Sequence, residues 1–258
     1  MNEHLLSRCT LLSSWLLVGL LLFSTGALAG DEWGADLEIY GWLPIISLEL
    51  EDGTKDEITR DDILDDFDIA ALWAARIRKG RWSLTSDFIY LDISKKSDVS
   101  LLSLVPSLAT LDEAGFNAWI ITPNLGYTVL DNERQKIDLY AGARYFRIEF
   151  DITINIDPIL PGDPSRSRKE SPSLSQWDGI VGARGFYNLP GEWFFPYSVN
   201  AGTGESDFTW GAQAGLGYRF RDLSALVGWR YLTYDVGSDT IIKELTLNGP
   251  FAGVVFHW

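Results

Sequence analysis

Charged residues that interrupt alternating apolar segments are the first candidates for chemistry in this sequence. Read with a period of two, seven of them fall on one common face together with small and polar residues: Glu38, Arg76, Asp87, Arg144, Arg184, Arg219 and Arg230. Tyr140 and Gln213 share that face. Carboxylates and guanidinium groups on one face can form a paired network, or they can line a path that favours anions. Because the arginines outnumber the acids, some positive potential is expected in either case.

An acidic run, RDDILDDFD at residues 60–68, is the second candidate. It offers several carboxylates, which hard cations prefer as ligands. It lacks the spaced ligands and the central glycine of a calcium loop, and Ile63, Leu64 and Phe67 follow helical spacing. The run is therefore predicted to be a solvated, capped helical turn in a loop. No metal site and no cofactor are expected.

The first residues have the features of an export signal. MNEHLLSR carries Arg8, LLSSWLLVGLLLF is an apolar run, and Ala27-Leu28-Ala29 is a small-residue cleavage site. The sequence thus predicts a signal peptide at residues 1–29 and one domain at residues 30–258. Cys9 precedes the apolar run, so neither a lipid anchor nor a disulfide is expected. The formal net charge of −15 argues against a nucleic-acid partner.

Short and longer connections alternate along the rest of the chain, and no apolar run there is long enough for a spanning helix. Aromatic residues and glycines are frequent, and the segments between the connections alternate with a period of two. The sequence therefore predicts an all-β fold, a transmembrane antiparallel up-and-down β-barrel of about ten strands, within a range of eight to twelve. Short turns are expected at residues 79–81, 131–134, 189–192 and 221–222, and longer connections near 52–66, 97–110, 157–172 and 237–243, with a tighter one at 202–207.

The alternation also predicts which face meets lipid. In TWGAQAGLGYRF, residues 209–220, the apolar residues from Trp210 to Phe220 share one face, with aromatic residues at both ends. The pattern inverts partway along the segments 37–51, 82–98 and 137–154, where the outer face turns polar and the inner face turns apolar. A barrel that extends beyond the outer membrane surface and closes there on apolar residues explains all three inversions. Three separate β-bulges are the alternative.

The chain resembles a known group of proteins over nearly its whole mature length. The stretches EIYGWLP, DDILDDFDIA, RKGRWSLTSDFIYLDIS, LYAGARYF, VGARGFYN, AGLGYRF and VGWRYL, with the aromatic end, are similar to a widespread group of uncharacterised proteobacterial outer-membrane β-barrel proteins. The resemblance implies location in the outer membrane of a Gram-negative cell, contact with outer-membrane lipid, and recognition by the barrel-assembly machinery. It also implies that GPFAGVVFHW is an assembly signal carried by Val254, Phe256 and Trp258.

Three classes of function remain open. The first is a structural or interaction role with a largely plugged lumen, in which loops such as DPILPGDPSRSRKESPS meet other molecules. The second is a narrow, porin-like channel for small ions or solutes, with a preference for anions. The third is an enzyme, which we do not expect. His4 leaves with the signal peptide and His257 lies at the periplasmic end, so no histidine remains for a site at the outer rim.

Overall fold

The described part of the chain folds almost entirely into β-strands. The computed structural model describes residues 33–50, 53, 55–58, 67–95, 109–156, 166–170, 173–237 and 242–258. No helix among them is long and apolar enough to cross a bilayer. The strands are β1 (Trp33–Trp42), β2 (Ile45–Leu50), β3 (Lys55–Ile58), β4 (Phe67–Lys79), β5 (Trp82–Lys95), β6 (Ala109–Asp131), β7 (Gln135–Ile156), β8 (Arg166–Glu170), β9 (Ser173–Asn188), β10 (Trp193–Gly204), β11 (Phe208–Arg219), β12 (Leu223–Asp235) and β13 (Ile242–His257).

Ten of these strands close into an antiparallel barrel within the described part of the chain. Their order around the barrel is β1-β4-β5-β6-β7-β9-β10-β11-β12-β13, and β13 pairs with β1 to complete the circle. At this seam the backbone N–H of Ala35 donates to the carbonyl of Trp258 at 3.0 Å, and the reverse bond is 2.9 Å. The prediction of an all-β barrel of about ten strands is confirmed.

Three short strands lengthen the barrel wall at one end. β2 continues β1 after Leu43 and Pro44 and pairs with β13, while β3 pairs with β2 and β8 pairs with β7. Because Pro44 has no backbone N–H, it interrupts the ladder between β1 and β2. β3 and β8 lie in segments that the sequence predicts as loops. They form strands because the wall there offers backbone groups that need partners.

The four predicted short turns connect β4 to β5, β6 to β7, β9 to β10 and β11 to β12. Two of them contain a glycine with positive φ, 55° at Gly80 and 74° at Gly191, a conformation that other residues rarely adopt. In a third, the side-chain oxygen of Asn132 accepts from the backbone N–H groups of Arg134 and Gln135 at 2.9 Å. We call the end with these turns, where Trp33 and Trp258 also lie, the turn end, and the opposite end the loop end.

Apolar side chains cover the outside of the barrel between two rings of aromatic residues. Val181 and Val227 are 64% and 57% exposed, which is costly in water and favourable in lipid. Trp82 near the turn end and Tyr90 on the same strand enclose a stretch close to the roughly 9 to 11 residues in which a tilted strand crosses the bilayer. Cross-strand aromatic pairs of the two rings include Trp82–Tyr127, Trp193–Tyr218, Tyr90–Trp119, Tyr145–Trp177 and Trp210–Tyr231.

Apolar side chains fill the inside of the barrel toward the loop end. Ile89 and Leu91 are each 1% exposed and Ile148 is 4% exposed, as the inverted pattern predicts. β-Bulges do not cause the inversion in β5 and β7, so that alternative is wrong for these two strands. β5 pairs with β6 in unbroken register from Trp82 to Lys95, and β7 pairs with β9 in unbroken register from Gln135 to Glu149. We call this filling the loop-end core: Trp42, Ile46, Leu48, Leu72, Ile89, Leu91, Ala118, Ile120, Phe146, Ile148, Leu232, Tyr234, Val236, Leu245 and Leu247.

The outer face at the loop end is polar, which completes the inversion. On β2, Ile46 and Leu48 point inward, whereas Glu49 points outward and bonds Lys55 at 3.0 Å and Lys243 at 3.1 Å. Hydrogen bonds from these two lysines hold the pKa of Glu49 below its ordinary value of 4.5. Phe150, which the sequence predicts for the same inner face, has a side chain outside the described set.

Candidate functional site

The candidate site is a cavity inside the turn-end half of the barrel, below the loop-end core. Its volume is about 500 Å³, which lies within the range of small-molecule sites. Tyr140 and Gln213 contribute to its wall. All seven charged residues that are predicted for the inner face line this cavity: Glu38, Arg76, Asp87, Arg144, Arg184, Arg219 and Arg230.

Asp87, Arg230 and Tyr40 form a hydrogen-bonded cluster across the lumen. The hydroxyl of Tyr40 donates to Asp87 Oδ1 at 2.6 Å, and Arg230 donates to the Tyr40 hydroxyl at 2.9 Å. Arg230 also forms an ion pair with Asp87 Oδ2. The Arg230 guanidinium lies over the ring of Trp42, 5.1 Å from its centroid, so the cluster abuts the loop-end core. Because β5 and β12 lie four places apart around the barrel, the pair bridges the lumen.

Arg184 occupies a second polar cluster, nearer the turn end. It donates to Asn124 Oδ1 at 2.9 Å and to Ser83 Oγ at 3.0 Å, on two strands across the lumen. Its Nε lies 3.6 Å from Asp138 Oδ2, which makes an ion pair that is too long for a hydrogen bond. Asp138 in turn accepts from Thr128 Oγ1 at 2.7 Å. Both Arg184 and Asp138 are buried.

Arg144 and Arg219 bond neutral groups rather than carboxylates. Arg144 donates to Asn200 Oδ1 at 2.6 Å and to Thr209 Oγ1 at 3.2 Å. Arg219 donates to Asn188 Oδ1 at 2.9 Å. Amide and hydroxyl oxygens satisfy the N–H groups without neutralising the charge, so both arginines leave positive potential in the lumen.

Arg76 and Glu38 line the cavity with neither a hydrogen bond nor an ion pair to any described residue within 4 Å. Both are partly exposed to the cavity and lie on neighbouring strands, β4 and β1. Their charges therefore act on the lumen at a distance. The Glu38 carboxylate faces the cavity and forms no ion pair with a lumenal arginine among the described residues.

Further charged residues of the site escaped the sequence interpretation. Asp36, Arg78, Lys136 and Asp138 also line the cavity. Each lies an even number of positions from a neighbour that was assigned to the inner face. The alternation therefore already predicts that these four residues face the lumen. They were missed because they lie close to the predicted turns, where charged side chains normally meet water.

Ser224, His257 and Asp36 form a hydrogen-bonded chain at the turn end. Ser224 Oγ is 2.9 Å from His257 Nε2, and His257 Nδ1 is 2.8 Å from Asp36 Oδ1. This is the order of groups in a serine–histidine–aspartate triad. Sequence reasoning set His257 aside because of its position near the chain end, whereas the seam between β13 and β1 brings it against Asp36.

Other features of this chain of groups oppose catalysis. Ser224 is only 1% exposed, and its backbone is paired on both sides, with β11 and β13. An oxyanion hole made by its own N–H is therefore excluded. Asp36 also accepts from Arg78 at 3.1 Å, so its carboxylate is shared between His257 and an arginine. The arrangement favours a structural role in which His257 ties β12 and β1 to β13 at the seam.

The other predicted features lie partly outside the described residues. Of the acidic run, residues 60–66 are not described, and Phe67 and Asp68 begin strand β4 rather than a helical turn. No group of three or more metal-ligating side chains occurs in the described part of the chain. Val254, Phe256 and Trp258 point outward, 36%, 37% and 61% exposed, so they belong to the lipid-facing surface of the last strand.

Comparison with known proteins finds similarity of architecture. The outer membrane protease OmpT from Escherichia coli is 12% identical, with 91% of this chain and 99% of that chain covered and a TM-score of 0.45. The attachment invasion locus protein Ail of Yersinia pestis is 10% identical over 89% and 100%, with a TM-score of 0.39. Neisserial surface protein A is 13% identical over 88% and 98%, with a TM-score of 0.35. No family model and no curated protein matches the chain.

The sequence identities and TM-scores are low, so none of these similarities transfers an activity to this chain. The fold and the exposed apolar band define the class to which this chain belongs, that of membrane β-barrels.

Proposed function

We propose that the protein is an integral outer-membrane β-barrel with a structural or interaction role and a largely plugged lumen, which solutes cannot cross. The observation that carries the proposal is the loop-end core, which fills the inside of the barrel with apolar side chains. Phe146 and Tyr234 stack with ring centroids 4.6 Å apart, from strands that lie four places apart around the barrel. Side chains from opposite walls therefore meet in the middle of the lumen, where a channel would need water.

Single-channel recording in a planar bilayer tests the closed lumen. Purified, refolded protein should give no steady conductance steps. The double variant Phe146→Ala, Tyr234→Ala removes both stacked rings and is the control that should conduct, provided that it still folds. Steps in the unmodified protein as large as those of the double variant would contradict the proposal.

A narrow channel that prefers anions is the second candidate. The observation in its favour is the charge of the cavity wall, where Arg76, Arg144 and Arg219 pair with no carboxylate in the described part of the chain. The same recording separates the two functions, because a channel of this kind would conduct and its reversal potential in a salt gradient would report anion preference.

The proposed location and assembly rest on the signal-like segment at residues 1–29 and on the outward-facing end of β13. Deletion of residues 256–258 removes the backbone bonds between Trp258 and Ala35 that close the seam. We expect the shortened chain to be exported, to remain unfolded and to be degraded. Gel mobility that shifts on heating reports the folded barrel, and normal yield of such a species from the outer membrane would contradict the assignment.

We also propose that the protein is not an enzyme. The only arrangement in the described residues that has the order of catalytic groups is the chain Ser224–His257–Asp36. Its serine is enclosed in the wall, and its aspartate is shared with Arg78. Labelling of Ser224 by a serine-directed reagent would contradict this proposal.

A further inference from the structure

The cavity is a cup that is closed at one end and open at the other. Its floor is formed by Tyr40 and by Leu232 of the loop-end core, and both side chains are buried. At the turn end its wall includes Arg221 and His257, whose side chains are exposed. A solute can therefore reach the cup from the turn end and cannot leave through the core.

The wall of the cup is positively charged although the chain as a whole is acidic. The described residues that line it include eight lysines and arginines against four aspartates and glutamates, which leaves four formal positive charges. The formal net charge of the chain is −15. The positive charges are thus concentrated inside the barrel, where low-dielectric walls strengthen their field.

Three of the four acids already form ion pairs with arginines. Asp36 pairs with Arg78, Asp87 with Arg230 and Asp138 with Arg184. Glu38 is the one remaining acid of the described wall. Arg76, Arg144 and Arg219 also line the cup and have no carboxylate partner among the described residues, whereas Lys136 pairs with Asp131. Arg221 lies nearer the opening.

Arg76, Arg144 and Arg219 thus leave positive charge in the enclosed space that no described carboxylate neutralises. An oxyanion can neutralise this charge, since guanidinium groups bind carboxylate and phosphate with paired hydrogen bonds.

We propose that the cup is a binding site for a small free solute that carries oxyanion groups, either phosphate or carboxylate, and that enters from the turn end. Arg76 and Arg219 are its principal ligands. Arg219 is held in place by the rings of Phe186 and Phe194, whose centroids lie 4.9 and 4.3 Å from its guanidinium carbon. The site goes beyond the proposed structural role, and it differs from a channel because the floor is closed.

Isothermal titration of the refolded barrel in a maltoside detergent tests the site with two probes, inorganic phosphate and succinate. This detergent contains no phosphate or carboxylate, so any heat comes from the free ion rather than from a lipid headgroup. We expect saturable binding of at least one probe. Arg76→Gln should weaken it about tenfold or more, because a hydrogen bond to a charged group contributes about 1.5–3 kcal/mol.

Arg134→Gln is the matched control, because Arg134 is an exposed cation in a turn at the same end and does not line the cup. It should leave the affinity unchanged. Arg76 forms no ion pair with a described residue, so Arg76→Gln should fold, and a shift in gel mobility on heating checks that it does. Arg219→Gln provides a second variant. Absence of binding by both probes at millimolar concentration, or equal weakening in Arg76→Gln and Arg134→Gln, would overturn the proposal. Neither result depends on whether the barrel conducts.

Discussion

Neutralising Asp87 tests how the lumenal charges are held. Asp87 forms an ion pair with Arg230 and accepts a hydrogen bond from the Tyr40 hydroxyl at 2.6 Å. In Asp87→Asn the amide oxygen can still accept from Tyr40, and the side chain keeps its size. The substitution therefore removes the negative charge and leaves Arg230 with its charge and no counter-charge against the loop-end core.

The expected cost follows from the burial of the pair. The side chains of Arg230 and Asp87 are 13% and 20% exposed. Breaking a buried ion pair by removing one partner typically costs 3–5 kcal/mol. Because the cup reaches the cluster from the turn-end side, some water can approach it, and we expect the lower end, about 3 kcal/mol of unfolding free energy.

Urea unfolding of the barrel in lipid vesicles, followed by tryptophan emission, measures this loss. Asp131→Asn is the control, since Asp131 pairs with Lys136 on the exposed turn end and should cost less than about 1 kcal/mol. The double variant Asp87→Asn, Arg230→Gln should recover part of the stability, because no unpaired charge remains. Unchanged stability in Asp87→Asn together with a more anion-selective conductance would refute this reasoning and favour the hydrated channel.

Three further predictions address other parts of the molecule. Val227→Arg should cost about 2–4 kcal/mol of unfolding free energy in the same assay if Val227 faces the bilayer midplane. Asp92→Arg, on the outer face of the wall beyond the bilayer, should be nearly neutral. Equal effects of the two substitutions would contradict the conclusion that only Val227 faces lipid. The lowered pKa of Glu49 means that its contribution to stability is present above pH 4.5 and is lost as the pH falls through the lowered value. The unfolding midpoints of the unmodified protein and Glu49→Gln should therefore differ at neutral pH and converge in acid. A fluorophosphonate reagent should not label Ser224, and stoichiometric labelling that His257→Gln abolishes would show that the triad-like chain is catalytic.

The sequence was sufficient to predict the barrel and the facing of its strands. Turn residues set the strand number, and a period of two assigned each side chain to one face. The inverted patterns also placed Ile89 and Leu91 in the inner core beyond the membrane-facing band, where both are 1% exposed. These features are local, because each depends on a strand and its own neighbours along the chain.

The partners of the lumenal charges could not be predicted in the same way. The alternation along a strand assigns a residue to the inner face. It gives neither the depth of that residue in the barrel nor the strand that faces it across the lumen. Arg184 meets Ser83 from a strand three places away around the barrel, a contact that depends on the tilt and closure of the whole sheet. For the same reason the contact of Asp36 with His257 was missed, since it exists only once β1 and β13 meet.

That seam has a consequence for how the protein must be delivered to its membrane. The Asp36–His257 contact joins residues 221 positions apart, so it contributes a very high contact order. The first strand has no partner on one side until the last strand arrives, which prevents stable folding during synthesis. In the meantime the apolar belt and the open strand edges would be exposed to water and would aggregate. We therefore expect an unassembled chain of this design to aggregate unless its apolar belt is kept from water, and we expect closure of the seam to be the slow step of folding.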